Sequence, residues 1–357
     1  MPKLPLLGER LSGMSHRYVT LLIAGVCVVA ALVIAAVVTV PYVALTPGPT
    51  LNTLGKPDGK ELIQITGHRT YATTGNLNLV TISYIGGPGT GFNVFSALRA
   101  WLTPNDAVVP SSEIYSSGQT QQQVIQQDTQ EMLGSQEDAT AAALCYLKVG
   151  FTTQDPISAT VKGTPAYGVL RPGDKITAVD KTAVGCHHDV VTMIRDRKPG
   201  APVRLTIDRN GATKTVMLGT KDIGNKPVVG IELGSPVYEF PFRIKINLAD
   251  IGGPSAGLMF ALGIVDKLTP GDLTGGRFIA GTGEIEPTGA VDPIGGIQQK
   301  MAGARAAGAT IFLTPAANCP NTVGSVPAGL RLVKVGSLAG AISELQDIEA
   351  GKPVPSC

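Results

Sequence analysis

The longest run of apolar residues lies close to the N-terminus. Val19 to Val40 (VTLLIAGVCVVAALVIAAVVTV) is 22 residues long and contains no charge. As a helix it would extend about 33 Å, enough to cross a bilayer core of about 30 Å. A cleaved signal peptide is the alternative, but its apolar core is shorter, about 7–15 residues, and ends at a small-residue cleavage site. The pattern predicts an uncleaved transmembrane helix.

Positive charges lie on one side of this run. Lys3, Arg10 and Arg17 precede it, and the next cation is Lys56. Because positive residues remain on the cytoplasmic side, we expect a single-pass cell-membrane protein with a cytoplasmic N-terminus and an extracytoplasmic remainder.

The cysteines fit this compartment. Cys145, Cys186, Cys319 and Cys357 would face oxidising surroundings and could form up to two disulfides, with free thiols as the alternative. The cluster Cys186-His187-His188-Asp189 could bind a metal, but it lacks a second half with zinc-ligand spacing. We therefore expect neither a metal nor a cofactor.

Beyond the membrane run the pattern alternates between helix and strand. Leu62–Ile65 and Leu77–Tyr84 read as strands, and Phe92–Leu102 reads as a helix. Thr120–Leu133 reads as a solvated helix, and Ser135 as the N-cap of a further helix. From Phe151 to about Gly219, short β-rich runs surround one helix at Asp189–Arg195. These elements predict an α+β protein.

Composition narrows the class of function. Charged residues make up only 16% of the chain, which agrees with a membrane segment, and aromatic residues only 5%. The net charge is +2, so neither a basic surface for nucleic acid nor a base-stacking platform is indicated. We expect no nucleic-acid partner.

Candidate chemistry begins at Gly252–Gly257 (GGPSAG), which leads into an apolar helix at Leu258–Leu268. Glycines beside Ser255 permit a sharp bend and leave backbone N–H groups near its hydroxyl, where they could bind an oxyanion. The alternative is that Ser255 only caps the helix.

A serine nucleophile needs a base, and the segment around Ser255 holds no histidine. Lys300 is the candidate. It lies three residues after Ile297 and one before Met301, at the edge of an apolar helix face. A lysine accepts a proton only when desolvation lowers its pKa. An ordinary exposed lysine is the alternative.

Two resemblances to known families give these segments an expected function. Pro165–Asp180 (PAYGVLRPGDKITAVD), followed by a helix with Val190, Val191 and Ile194, resembles the core of a PDZ domain. That resemblance implies recognition of an extended peptide at a sheet edge beside the helix. A β-domain acting only as a spacer is the alternative.

The second resemblance is to the proteolytic domain of Lon proteases. It rests on GGPSAG, Gly281–Val291 (GTGEIEPTGAV), PIGGIQQK and Ala302–Pro315 (AGARAAGATIFLTP), in that order. It implies a Ser-Lys dyad of Ser255 and Lys300, with Thr282 helping to hold the lysine. We expect backbone N–H groups near Gly253 and Ser255 to stabilise the oxyanion, with Pro254 of the same turn as a supporting residue.

The whole layout, with Thr46-Pro47-Gly48-Pro49 and Gly271–Gly276, is similar to bacterial membrane-anchored PDZ-containing Lon-like serine proteases, particularly the Gram-positive and actinobacterial kind. It departs from full-length Lon by lacking an ATPase and by having Gly252 where Lon has an acid, with Asp250 further back. The resemblance implies an ATP-independent endopeptidase of extracytoplasmic proteins or peptides, and makes a homo-oligomeric ring plausible.

The expected fold is α+β, with an N-terminal transmembrane helix and a PDZ-like β-rich domain inserted before a Lon-type proteolytic domain. The expected divisions are 1–17 cytoplasmic, 18–41 transmembrane, 42–150 an α/β region packing on the protease domain, 151–220 PDZ-like, 221–349 Lon-like and 350–357 a tail. A catalytically inactive PDZ scaffold, in which Lys300 is solvated and out of reach of Ser255, is the alternative function. A nucleotide or small-molecule binder is disfavoured, because neither a phosphate loop nor a Rossmann glycine motif follows a strand.

Overall fold

The computed structural model describes residues 16–186, 189–248 and 251–357, except for the side chain of Asp58. Helices and strands are both abundant, so the mixed α+β composition predicted from the sequence is confirmed. The helices are α1 (His16–Val37), α2 (Val94–Leu102), α3 (Gln121–Tyr146), α4 (Val190–Arg195), α5 (Gly257–Leu268), α6 (Ile297–Ala306) and α7 (Leu338–Glu349).

The strands are spread along the chain after α1. Those before α4 are β1 (Tyr42–Asn52), β2 (Ile63–Thr66), β3 (Asn76–Ile85), β4 (Ala107–Pro110), β5 (Thr152–Thr160), β6 (Lys175–Val179) and β7 (Thr182–Ala183). Those between α4 and α5 are β8 (Pro202–Arg209), β9 (Ala212–Gly219), β10 (Lys221–Ile223), β11 (Lys226–Val228), β12 (Ile231–Leu233), β13 (Val237–Glu239) and β14 (Arg243–Ile246). The remaining strands are β15 (Phe278–Gly281), β16 (Glu284–Ile285), β17 (Val291–Asp292), β18 (Ile311–Pro315) and β19 (Arg331–Val335).

The chain divides into two compact units. The first contains the described residues up to Pro47 together with Ile82–Val124, and the second contains Gly48–Thr81 and Ile125–Cys357. In the first unit, α1 is long and apolar enough to cross a membrane, and none of its residues is buried. The start of β1 pairs with β4 in antiparallel fashion, and Phe92 packs with Ala44 and with Ala100 of α2.

The second unit is built on a sheet with the strand order β19-β18-β15-β3-β1, in which β3, β15, β18 and β19 run parallel. Alternate residues of its strands enter two separate cores. Ile311 and Leu313 of β18 pack with α5 and α7, whereas Phe312 packs with α6. Every residue of β18 is buried, as expected for a parallel strand covered on both faces. The sheet thereby places α5 and α6 on its opposite faces.

A second sheet in the same unit has the strand order β12-β5-β6-β8-β9 and its own hydrophobic core. Alternation along β8 places Val203, Leu205 and Ile207 inside this core. Helix α4 covers it with Val190 and Ile194, and Asp189 caps α4 by accepting a hydrogen bond from Thr192 N at 2.8 Å. This is the region in which the sequence predicted short strands around one helix.

The prediction of a helix start at Ser135 is wrong. Helix α3 is continuous from Gln121 to Tyr146, and the Ser135 side chain is buried within it. Its hydroxyl donates a hydrogen bond to the Pro254 carbonyl at 2.8 Å instead of capping its own backbone. The Ser135 hydroxyl, which the local pattern predicted to cap a helix, therefore binds a carbonyl that is distant in the sequence.

The four cysteines after α1, whose pairing the sequence left open, form two disulfides, Cys145–Cys186 and Cys319–Cys357. The first joins the last turn of α3 to the segment before α4, and so ties the second sheet to the helix that precedes it. The second joins the segment after β18 to the C-terminus. Cys27 of α1 carries a free thiol.

Candidate active site

The candidate nucleophile lies on the turn that opens α5. Gly253 has a φ of +82°, in the left-handed region that favours glycine, and it is followed directly by Pro254 and Ser255. Ala256 is the N-cap residue, so the Ser255 side chain is held at the helix N-terminus. All residues of α5 are buried, and this buried helix fixes the position of the turn.

Helix α3 supports the turn from one side. Ser135 Oγ donates to the Pro254 carbonyl, and the Gly253 N–H donates to the Asp128 carbonyl at 3.0 Å. A Cβ atom at Gly252 would lie only 2.5 Å from the Cβ of Asp128. The turn therefore lies directly against α3, and this close approach requires glycine at position 252.

The end of β15 supports the turn from the other side. Thr282 Oγ1 and Gly283 N both donate to the Ser255 carbonyl, at 2.9 Å and 2.8 Å. Thr282 itself is fully buried. Backbone groups of Gly253, Pro254 and Ser255 are thus hydrogen-bonded to α3 or to the segment after β15, which restrains the serine before any substrate arrives.

Lys300 reaches Ser255 from α6. Its Nζ lies 2.8 Å from Ser255 Oγ and 3.2 Å from Thr282 Oγ1, and the residue is only 2% exposed. Its neighbours Ile297 and Met301 on α6 belong to the core beneath the sheet. The spacing from Ile297 therefore predicted the buried face correctly, and it also predicted that Lys300 borders this face.

Burial lowers the pKa of the Lys300 amine from its ordinary value of 10.5 to about 7. The cause is desolvation, which disfavours the charged ammonium. None of the salt bridges in the described part of the chain involves Lys300. A substantial fraction of the amine is consequently neutral near pH 7, the form in which nitrogen accepts a proton.

Thr282 determines how this amine is oriented. Its hydroxyl proton is used in the bond to the Ser255 carbonyl, so its oxygen accepts from the lysine rather than donating to it. One N–H of a neutral Lys300 is thereby directed at Thr282. The nitrogen lone pair can then face the Ser255 hydroxyl, the arrangement that general-base catalysis requires.

The structure brings together Ser255, Lys300 and Thr282, and Pro254 contributes its carbonyl to the support of the turn. The expected role of the Gly253 N–H in oxyanion binding does not fit this conformation, because Asp128 already accepts its hydrogen bond. Asp250 lies outside the described residues. Sequence reasoning missed Asp128 and Ser135, because nothing local in α3 indicates a contact with a turn more than a hundred residues later.

The cluster around Cys186 offers no support for a metal site. The sulfur of Cys186 is consumed by the disulfide with Cys145, and Asp189 caps α4. His187 and His188 lie outside the described residues. Within the described ranges, no group of three or more His, Cys, Asp or Glu side chains could hold a metal ion.

Two domain families match parts of this chain. Residues 249–344 match the Lon protease (S16) C-terminal proteolytic domain, and residues 146–220 match a PDZ domain. The chain carries a PDZ domain followed by a Lon-type serine peptidase domain. Both resemblances inferred from the sequence are confirmed at the level of these domains.

Several Lon proteases are similar to part of this chain. The Lon protease of Frankia alni is 32% identical over 33% of this chain. Lon protease 2 of Thermus thermophilus is 42% identical over 22% of this chain, and Lon protease 1 of Bacillus subtilis is 36% identical over 26% of this chain. These matches span only 14%, 10% and 12% of the relatives' own lengths. Among solved structures, the PDZ domain of the SdrC-like protein from Listeria monocytogenes is 23% identical, covers 22% of this chain and 85% of that chain, and has a TM-score of 0.21.

The buried amine should reduce the stability of the fold. In the unfolded chain Lys300 holds its proton up to about pH 10.5, whereas the buried amine releases it near pH 7. This difference in pKa between the folded and unfolded states lowers the free energy of unfolding. The loss of stability is largest below pH 7 and decreases as the pH rises towards 10.5. Lys300→Met, which removes the amine but keeps an unbranched chain, should therefore raise the melting temperature, most strongly below pH 7.

Thermal denaturation of the whole chain between pH 6 and 10 measures this effect. Lys267→Met is the matched control, because Lys267 is also buried but pairs with Glu61 at 3.2 Å, so its removal should not stabilise the fold. A Lys300→Met variant that melts below wild type at every pH would contradict the argument.

Proposed function

We propose that this protein is a membrane-anchored, ATP-independent serine endopeptidase in which Ser255 and Lys300 form the catalytic dyad. The observation that carries the proposal is the 2.8 Å separation of a buried lysine amine from the hydroxyl of a serine at a helix N-terminus. The inactive-scaffold alternative expects Lys300 to be solvated and distant from Ser255, and its buried position argues against that alternative.

In the proposed acylation step, neutral Lys300 takes the proton of the Ser255 hydroxyl as the oxygen attacks a peptide carbonyl. The ammonium that forms remains hydrogen-bonded to Thr282 Oγ1. It then protonates the amine of the leaving peptide as the tetrahedral intermediate collapses to an acyl-enzyme. Lys300 is neutral again at that point, and it can activate a water molecule that hydrolyses the ester.

The developing oxyanion needs hydrogen-bond donors close to Ser255. The N–H groups of Gly253 and Gly257 are already bonded, to the carbonyls of Asp128 and Pro254. We therefore assign oxyanion binding to the backbone N–H groups of Ser255 and Ala256, which precede the first turn of α5. The positive end of the helix dipole lies at the same place and favours a negative oxygen.

The PDZ domain offers a place for an extended segment of substrate. Strand β12 is at the edge of its sheet, paired on one side with β5. A groove beside it is lined by Val190, Val191 and Ile194 of α4 and by Val229, Gly230, Ile231 and Leu233. A peptide lying in this groove can pair with β12 and place its apolar side chains against α4. We propose that the groove captures loose protein segments for the peptidase domain.

The placement in the cell is part of the proposal. Helix α1 would span the membrane once, the N-terminus would be cytoplasmic, and both domains would be extracytoplasmic. The two disulfides support an oxidising compartment for the region after α1. Such a compartment does not supply ATP, so substrates would be segments that are already unfolded.

Labelling with a peptide-based acylating probe of serine nucleophiles tests the dyad. Ser255→Ala and Lys300→Met should each slow acylation by about 10⁴-fold or more, because the two groups act as a unit. Mass spectrometry should locate the adduct on Ser255 in the wild type. Lys267→Met, the buried lysine away from the dyad, should label normally. Equal and negligible labelling of all four proteins would support the scaffold alternative.

The dyad also predicts a pH dependence. Because only the neutral amine of Lys300 acts as a base, the acylation rate should rise through an apparent pKa of about 7 and reach a plateau above it. Stopped-flow measurement with a probe that does not itself titrate between pH 5.5 and 9 determines the profile. A rate that is flat across this range, or that rises only near pH 10, would exclude a desolvated lysine as the base.

The groove can be tested separately from the dyad. Val191 is 40% exposed on α4, so Val191→Glu should fold while introducing charge into the apolar groove. We expect cleavage of an unfolded protein substrate to slow by about tenfold, an effect of one to two kcal/mol, with acylation by a small probe unchanged. Met217→Glu, at an exposed apolar position on β9, is the control. Equal loss with both substrates would contradict a role limited to recognition.

A further inference from the structure

Helix α2 exposes an apolar face that no part of the first unit covers. Val94, Phe95, Leu98, Trp101 and Leu102 are 38%, 55%, 51%, 73% and 67% exposed. Their spacing of i, i+1, i+4, i+7 and i+8 places them on one stripe of the helix. The other side of α2 is occupied, because Ala97 and Ala100 pack with Phe92 and Ala44. Solvent exposure of five large apolar side chains in a nine-residue helix needs an explanation.

The location of α2 next to the end of α1 explains why its apolar face is exposed. Its N-cap, Asn93, donates from its side-chain amide to the Ala36 carbonyl of α1 at 2.9 Å, and Val94 N donates to the Val38 carbonyl at 3.3 Å. A further bond runs from Val40 N to the Phe92 carbonyl at 2.8 Å. Helix α2 therefore starts at the residues where α1, the candidate membrane span, ends.

The apolar surface continues from α2 to the exit of α1. Val40 and Tyr42, which follow shortly after the end of α1 at Val37, line one hollow together with Val94, Leu98 and Trp101. Tyrosine and tryptophan are the residues enriched where a membrane meets water, because each ring has an apolar body and one polar group. The hollow thus joins two such side chains at the level where the span would leave the hydrocarbon core.

The charge on α2 agrees with this location. Arg99 is its one ionisable side chain, and it lies beside the apolar stripe rather than on it. An arginine in that position can reach lipid phosphates while its stem lies against apolar groups. Beyond the helix, Asp106 is close enough to Arg99 for the arginine charge to lower its pKa, but burial outweighs this effect and the pKa of Asp106 is raised.

We propose that α2 is an interfacial helix whose apolar stripe lies in the outer leaflet of the membrane that α1 crosses. The inference rests on the membrane anchoring in the proposed function. A helix this short would bind lipid weakly alone, but anchoring by α1 makes its insertion an intramolecular step. Helix α2 thereby fixes the orientation of the first unit on the bilayer, which a single span leaves free to rotate.

Trp101 makes the proposal directly measurable, because it is the only tryptophan in the chain. The full-length protein is reconstituted into phosphatidylcholine–phosphatidylglycerol vesicles, with or without brominated acyl chains. Trp101 emission should be blue-shifted and reduced about twofold or more by the brominated lipid, and aqueous iodide should quench it poorly. Efficient quenching by iodide without quenching by lipid would overturn the proposal.

A second copy of the chain is the competing occupant of this face. Burial by a second copy would protect Trp101 from iodide without lipid quenching, and the protection would fall as the protein is diluted in lipid. That result would also overturn the proposal. Lipid quenching that is unchanged on dilution supports the bilayer.

A variant of α2 provides a second test, which compares lipid quenching of Trp101 between two proteins and does not depend on its absolute emission. The double change Leu98→Gln and Leu102→Gln removes apolar side chains beside Trp101 at positions already exposed, so the fold should persist. It should reduce lipid quenching by about half or more. Val323→Gln, at a position 80% exposed in the second unit, should leave it unchanged.

Alkaline carbonate extraction of the same vesicles separates this proposal from the one on which it rests. Protein that resists extraction but shows no lipid quenching of Trp101 would overturn the interfacial helix and leave the anchor intact. Protein that is released by carbonate would overturn both.

Discussion

The contact between the Lys300 amine and the Ser255 hydroxyl depends on the exclusion of water from one end of α6. An ordinary lysine near pH 7 carries a charge and donates protons, so it cannot serve as a base. Here the amine is 2% exposed, and desolvation alone brings its pKa to about 7. The packing of α6 beneath the sheet therefore has a chemical consequence, because any change that lets water reach the amine restores its charge and removes its basicity.

The serine is held by residues from distant parts of the chain. Asp128 and Ser135 come from a helix that precedes the PDZ domain, whereas Thr282 and Gly283 follow β15. Because Asp128 and Ser135 hold the turn, the part of α3 that carries them is a structural part of the peptidase centre although it precedes the PDZ domain. This support from α3 is a feature read from the contacts of the folded chain.

Three sites in the molecule have different physical characters, and the proposals assign each a different task. The dyad centres on a buried lysine, the groove beside β12 is apolar with an open backbone edge, and the stripe on α2 is apolar and exposed. Together they describe an enzyme that would be held against a bilayer by α1 and α2 and would take in extended segments through the PDZ domain. Helix α2 and the PDZ groove can be altered without touching the dyad, which makes the three tasks experimentally separable.

The sequence by itself determined the apolar helix, the two domain types and the pairing of Ser255 with Lys300 as candidates, because each depends on local periodicity or on motifs in a fixed order. It also placed a helix at Phe92–Leu102, but periodicity could not tell which side of α2 would remain uncovered. Only the tertiary structure decided the disulfide pairing, the continuity of α3 through Ser135, the engagement of the Gly253 N–H by Asp128 and the burial of Lys300. Each of these depends on contacts between segments far apart in the chain, and the local sequence does not indicate which distant group will be in contact.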